Sequence, residues 1–309
     1  MKLKIVTFSN HPLDSSNKLV ESCEKHNLDL HVIIEPNWLV NAQKIKLLSD
    51  FLVNQSKDLV VMVVDAFDVI INAREVEVLE KYNSLEHDIV FSAEANFYFR
   101  NKALRNSYHK NYPKSSTVYR YLNSGTLIGK SVSLIKLLEE IISENQIDIN
   151  DIDSLIKVRS DQYLYAKHFV DHKTSKDRKE YTITLDYQHD LFEVTGGRMR
   201  TFQLPYISPL HAFNAYKIER FLMKLIKLNM LMNTLTDIKY NQVSKQFINK
   251  QTRTTPLVIH IPGSWKSFEE IHSRLIENKR DYRLIKIPTL IISLLSYAVS
   301  LLIPTKIKM

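Results

Sequence analysis

The stretch Leu59-Val-Val-Met-Val-Val-Asp-Ala-Phe-Asp68 decides the fold. Apolar residues run from Leu59 to Val64 without a polar break, then give way to two aspartates, Asp65 and Asp68. A strand covered on one face alternates apolar with polar residues. An unbroken β-branched run is covered on both faces, as in parallel sheets sandwiched between helices. Working outward, short apolar runs fall at 3–8, 30–34 and 89–93, and helical patterns at 17–25, 42–54 and 75–82 come between them. This alternation predicts an α/β fold, a Rossmann-like, mostly parallel sheet flanked by helices. Ligands in such folds sit at the carboxyl ends of strands, so chemistry is sought after Phe8, Val64 and Phe91.

The chain has 309 residues, 44% of them hydrophobic, enough for one large α/β domain with a true core. Its single cysteine, Cys23, excludes a disulfide framework and a Cys-rich zinc site, and suits a reducing compartment. The opening residues turn polar too soon for a signal peptide, so a cytoplasmic protein is expected. The net charge of +8 points to an anionic partner. No zinc-finger spacing and no single groove-binding basic helix accompanies it, so nucleic acid is not the expected partner and phosphate or anionic lipid is. Lys217, Arg220, Lys224 and Lys227 line one face of an amphipathic helix whose other face carries Ile218, Phe221, Leu222, Leu225 and Leu228. Residues 287–304 carry no charge, yet the segment between Pro288 and Pro304 reaches only ~23 Å as a helix, short of a full span. A helix lying in a membrane interface fits both segments, and packing on the domain is the alternative. The expected organisation is a domain over 1–283, a cationic helical insertion near 215–250, and an apolar C-terminal tail at 284–309 for which membrane association is one of the two readings.

Four constellations carry chemistry. Asp65 and Asp68 leave a buried strand at the ligand edge and offer the hard oxygen ligands that a divalent cation on a diphosphate needs, although the same residues also cap turns. Tyr121-Leu-Asn-Ser-Gly-Thr-Leu-Ile-Gly129 holds two of only five glycines, and Asn123-Ser-Gly125 reads as a tight loop presenting backbone amides and Asn123 to a polar ligand, or as an ordinary turn. Ser160-Asp161-Gln162 puts a carboxylate beside an amide at a helix start, fit for sugar hydroxyls or for an N-cap. In Pro256-Leu-Val-Ile-His-Ile-Pro-Gly-Ser-Trp-Lys266, a strand ends at His260, a suitable third ligand for Mn²⁺. Gly263 then allows close backbone approach, and Lys266 would neutralise a diphosphate.

Taken together these segments resemble the glycosyltransferase domain of the procollagen lysyl hydroxylases. Its Asp-x-Tyr-Asp, Phe-Ser-Ala-Glu and Leu-Asn-Ser-Gly…Ile-Gly correspond to Asp65–Asp68, Phe91–Glu94, Leu122–Gly125 and Ile128-Gly129. Its Asp-Gln-Leu-Phe-Tyr corresponds to Asp161-Gln-Tyr-Leu-Tyr165, and its Leu-Asp…Ile-Phe-Gln to Leu185-Asp186 and Leu191-Phe-Glu193. The spacing of its His-Gly-Asn-Gly-x-x-Lys recurs in His260, Gly263 and Lys266. The motifs keep their order over most of residues 1–270. The resemblance implies a GT-A fold and a hexosyltransferase using a UDP-sugar donor with Mn²⁺ or Mg²⁺. It implies Asp65, Asp68 and His260 as metal ligands, Phe67 stacked on the uracil, and Lys44, Glu94, Gly125, Gly263 and Lys266 around the donor. Asn123, Asp161 and Gln162 are the expected contacts to the transferred sugar or acceptor hydroxyl.

The departures concern the sugar and acceptor side. The family's glycine-rich loop before Gln43-Lys44 is replaced by Trp38-Leu-Val-Asn-Ala42, and its aspartate run shrinks to Asp161 after Ser160. Its Cys-Trp-Pro becomes Asn96-Phe-Tyr-Phe99, and no hydroxylase domain is expected. Collagen as acceptor does not follow; a glycan, lipid-linked or protein acceptor remains open, with peripheral contact to a membrane. Two other readings stand beside this one: a catalytically weak nucleotide- or membrane-binding relative, and a metal-dependent nucleotidyltransferase.

Overall fold

A computed structural model of the chain describes residues 1–98, 101, 103–175, 180–195, 238–262, 272–273 and 276–277. The first half alternates β1 (Leu3–Ser9), α1 (Lys18–His26), β2 (Leu30–Ile34), α2 (Gln43–Leu52), β3 (Val60–Asp65), β4 (Val69–Ile71), α3 (Glu75–Ser84) and β5 (Ile89–Glu94). Next come α4 (Arg105–Asn111), β6 (Tyr121–Lys130), α5 (Ser131–Glu144), α6 (Ile152–Val158) and α7 (Asp161–Thr174). The strands β7 (Ile183–Asp186), β8 (Phe192–Val194), β9 (Ile238–Asn241), β10 (Gln246–Asn249) and β11 (Val258–His260) complete the described elements.

Six strands form the main sheet in the order β2-β1-β3-β6-β5-β7. All run parallel except β6, which is antiparallel to both β3 and β5. The unbroken apolar run of β3 has its reason in this placement. Val61 and Val63 enter one core with Ile45, Leu134, Leu164 and Phe169, while Val60, Met62 and Val64 enter a second with Leu19, Val78, Phe192 and Val258. Each such side chain withdrawn from water contributes about 1.5–3 kcal/mol, so neither face tolerates a polar residue. Asn17 starts α1 by accepting from the Leu19 and Val20 amides, and Asn27 ends it in the left-handed region at φ 53°.

Two expectations are corrected. Asn123-Ser-Gly125 is no loop but lies inside the ten-residue strand β6. Its turn-like composition serves a bulge: Phe91 pairs with Leu127 while Ser92 pairs with Asn123, so Ser124, Gly125 and Thr126 bow out of the β5 ladder. The insertion near 215–250 is not helical throughout, because β9 and β10 form an antiparallel hairpin packed through Ile238 and Phe247 onto Ile70 and Ile259. The cationic helix over 215–232 and the tail over 287–304 lie outside the described residues. No helix among the described residues is long and apolar enough to cross a membrane.

A three-stranded sheet, β4-β11-β8, stands beside the main one. It brings His260, at the end of β11, to Asp65 at the carboxyl end of β3.

Candidate active site

Strand β3 delivers Asp65 at its end, and Asp68 follows in the turn before β4. This turn is fastened from two sides. Thr7 Oγ1 donates to the Val64 carbonyl at 2.8 Å, and Asn17 Nδ2 donates to the Ala66 carbonyl at 2.9 Å. β11 runs antiparallel to β4 with His260 opposite Val69, so the imidazole meets the aspartates. His260 Nε2 lies 3.6 Å from Asp65 Oδ2 and 3.5 Å from Asp68 Oδ1. Ligand atoms from the three residues lie within 4.8 Å of one another.

This triad fits a cation. Both ring nitrogens of His260 are buried without a hydrogen-bond partner, where a buried imidazole normally has both satisfied. Ligand bonds of ~2.0–2.2 Å let one ion touch donors this close, and a mixed carboxylate and imidazole set suits Mn²⁺. Burial disfavours the His260 cation, but Asp68 and Asp65 outweigh it and raise its pKa. The bulge in β6 supplies room. A Cβ on Gly125 would stand 2.1 Å from His260 Cε1 and 2.8 Å from Asp65 Oδ2.

A second cluster shows what a satisfied histidine looks like. Glu140 and Glu144 on α5 flank the buried His168 of α7. There Nδ1 is 3.0 Å from Glu144 Oε2 and Nε2 is 3.0 Å from Tyr181 Oη, so the ring is already fully engaged.

Lys44, in the first turn of α2, joins the triad to Asp161. Its Nζ lies 2.5 Å from Asp65 Oδ1 and 3.6 Å from Asp161 Oδ2. Burial works against the lysine cation, but the two aspartates prevail and hold its pKa above the usual range. Burial likewise pushes the Asp65 carboxyl up, while Lys44 and His260 bring it below the ordinary value. Ser160 Oγ accepts from the Tyr163 amide at 3.2 Å and caps α7. Asp161 is turned inward instead, 2% exposed, and its Oδ2 makes no hydrogen bond. Burial raises its pKa against the pull of Lys44.

Glu94 ends β5. Its Oε1 accepts from Asn123 Nδ2 at 3.0 Å and from Gln162 Nε2 at 2.9 Å. Burial drives its carboxyl up to about 7, although both amides and His260 act the other way. The Gly125 amide is not presented to a ligand as expected, because it donates to Asn123 Oδ1 at 2.9 Å. Asn123 is thus engaged at both ends of its side chain, and Gly125 contributes space. Phe67 is half-buried and stacked on His11, with ring centroids 5.4 Å apart and planes at 24°. Gly263 and Lys266 lie outside the described residues.

The structure therefore brings Lys44, Asp65, Asp68, Glu94, Asn123, Asp161, Gln162 and His260 into one site around Gly125. Reading the sequence missed His11 and Asn17. His11 lies just after β1, one of the strand ends singled out for ligands, and Asn17 caps α1, but only contact with the Asp65–Asp68 turn ties either to the site.

The PLOD GT domain family matches residues 1–219. The match takes in Lys44, Asp65, Phe67, Asp68, Glu94, Asn123, Gly125, Asp161 and Gln162 and ends before His260, Gly263 and Lys266. Mouse procollagen-lysine,2-oxoglutarate 5-dioxygenase 2 is 27% identical over 207 residues, covering 63% of this chain and 25% of that protein. Human procollagen-lysine,2-oxoglutarate 5-dioxygenase 1 is 32% identical over 207 residues, covering 64% and 26%. The multifunctional procollagen lysine hydroxylase and glycosyltransferase of Caenorhabditis elegans is 26% identical over 218 residues, covering 66% and 27%. The chain thus spans about a quarter of the length of the curated relatives it matches. Sheet order, strand-end carboxylates and these similarities define a domain of the GT-A glycosyltransferase class. The chain belongs to the PLOD GT domain family.

Proposed function

We propose that this chain transfers a hexose from a UDP-sugar to a hydroxyl acceptor, using a divalent cation, Mn²⁺ or Mg²⁺, at Asp65, Asp68 and His260. The observation that carries this reading is the buried imidazole of His260, neither ring nitrogen in a close hydrogen bond and Nε2 held 3.5–3.6 Å from two strand-end aspartates, in a PLOD GT domain. A cation bound there would offset the charge that develops on the departing diphosphate. Lys44 keeps the Asp65 carboxylate ionised and oriented through their part-buried ion pair. Phe67 offers its ring to the uracil, and Gly263 and Lys266 are assigned to the diphosphate.

On the sugar side, Asn123 and Gln162 fix one oxygen of Glu94. With its pKa near 7, Glu94 can give or accept a proton in a hydrogen bond to a sugar hydroxyl near neutral pH. Asp161 is the remaining acid, kept within 3.6 Å of Lys44. The test is a thermal-shift screen of UDP-sugars with Mn²⁺. A donor at a hundred times its Kd stabilises the fold by about 2.7 kcal/mol. A shift that requires metal and UDP together supports the reading. Stabilisation by nucleoside triphosphates with release of pyrophosphate would favour a nucleotidyltransferase instead.

A further inference from the structure

The segment between β1 and α1 is built to hold one ring against Phe67. Ser9 Oγ donates to the His11 carbonyl at 2.6 Å and accepts from the His11 amide at 3.2 Å, so one hydroxyl fixes both backbone groups of His11. Asn10 Oδ1 lies 2.7 Å from His11 Nδ1 and restrains the imidazole. Further along, Asp14 Oδ1 accepts from the Ser16 amide, and Asn17 both caps α1 and donates to the Ala66 carbonyl. The loop is thereby tied to the residue preceding Phe67. The resulting ring pair, 5.4 Å between centroids and 24° between planes, is an offset stack. His11 is exposed, so burial of the imidazole does not account for this arrangement.

We propose that His11 is a positioning residue for the nucleobase of the donor, a pedestal that holds the Phe67 ring so that its other face takes the base. A third ring does not fit between the two, because two stacking gaps of ~3.5 Å need about 7 Å. The base therefore extends the stack rather than splitting it. His11 acts through Phe67 and not on the phosphates, which are assigned to the metal triad. This inference rests on the assignment of Phe67 to the base made above.

The test compares UDP with inorganic pyrophosphate, each with Mn²⁺, by titration calorimetry on the full chain. The wild type, His11→Ala, His11→Phe and Phe67→Ala are measured. His11→Ala should weaken UDP by about 2- to 12-fold, the worth of one aromatic pair, and leave pyrophosphate unchanged. His11→Phe should restore UDP, and Phe67→Ala should weaken UDP at least as much as His11→Ala. Unchanged UDP affinity in His11→Ala overturns the pedestal alone. Equal losses for UDP and pyrophosphate also overturn it, since His11 would then act on the metal or phosphate end. If the wild type binds pyrophosphate but not UDP, the assignment of Phe67 to a base fails and takes the pedestal with it. If it binds neither, the metal-dependent donor reading itself is refuted.

Discussion

Gly125→Ala is the smallest change that reaches the triad. The added Cβ would stand 2.1 Å from His260 Cε1. Two carbons rest at ~3.5 Å or more, so the imidazole must withdraw by about 1.4 Å. Its Nε2 now lies 3.5 Å and 3.6 Å from the two aspartate oxygens, and a metal–nitrogen bond of ~2.1 Å leaves no slack for such a retreat. Disturbing even an outer-shell partner costs ~10–100-fold in metal affinity, so losing an inner ligand should cost at least ~100-fold, about 2.8 kcal/mol. Overpacking destabilises by about 1–3 kcal/mol, and movement of His260 keeps this cost at the low end. Gly129→Ala is the control. Its Cβ would meet the Asp88 carbonyl at 3.0 Å and Leu134 Cδ2 at 3.2 Å, away from the triad, so it should lower stability without touching metal affinity. Mn²⁺ titration calorimetry with urea unfolding of both variants separates the two effects. Wild-type Mn²⁺ affinity in a folded Gly125→Ala protein refutes the reasoning.

Other outcomes follow from the same contacts. Asp161→Asn should lower turnover about 100-fold and UDP affinity far less, since a group acting in the transition state spares ground-state binding; equal losses would mark it as structural. His189 Nε2 lies 2.9 Å from the Ala93 carbonyl and Nδ1 lies 3.1 Å from Glu193 Oε2. Burial disfavours this imidazolium, but Glu193 and Asp186 outweigh it and raise its pKa above the ordinary 6.5. Its contribution to stability is therefore complete below pH 6.5 and fades as pH rises through the folded value. Urea unfolding between pH 6 and 9 should show this decline in the wild type and a flatter curve in Glu193→Gln; parallel curves count against the pair. The basic helix and apolar tail expected from sequence are proposed to hold the protein on the cytoplasmic face of an anionic membrane, at about 1 kcal/mol per basic residue. Truncation after Arg283 should then reduce sedimentation with anionic liposomes, and equal sedimentation would discard the tail as an anchor.

The sheet was legible because β1, β3 and β5 are buried on both faces and edge strand β2 is still an apolar run: 3–8, 30–34, 59–64 and 89–93 all fall within one residue of β1, β2, β3 and β5. Helix ends were legible where a cap marks them, as at Asn17 and Ser160. The antiparallel sense of β6 was not, because Asn123-Ser-Gly125 has turn composition and only the site explains it. Gly125 is there to admit His260, a residue 135 positions away in the chain. The buried set of Asp186, His189, Glu193 and Asn249 was equally hidden as a network. Such polar residues read as surface until Asn249 Nδ2 is seen donating to Glu193 Oε2 at 2.7 Å, and Asp186 accepting from the amides of Asp190, Leu191 and Phe192. His11 carries no sequence signal beyond its position after a strand, and its stack on Phe67 appears only when β1 and β3 lie side by side.

A cation held by Asp65, Asp68 and His260 is proposed to serve transfer from a UDP-sugar. The most direct test is UDP release from UDP-galactose and UDP-glucose, measured with Mn²⁺, with EDTA, and in Asp68→Asn. Release from the wild type should depend on Mn²⁺, disappear in EDTA, and be lost in a folded Asp68→Asn protein. Release that persists in EDTA, or full turnover in Asp68→Asn, would contradict this role.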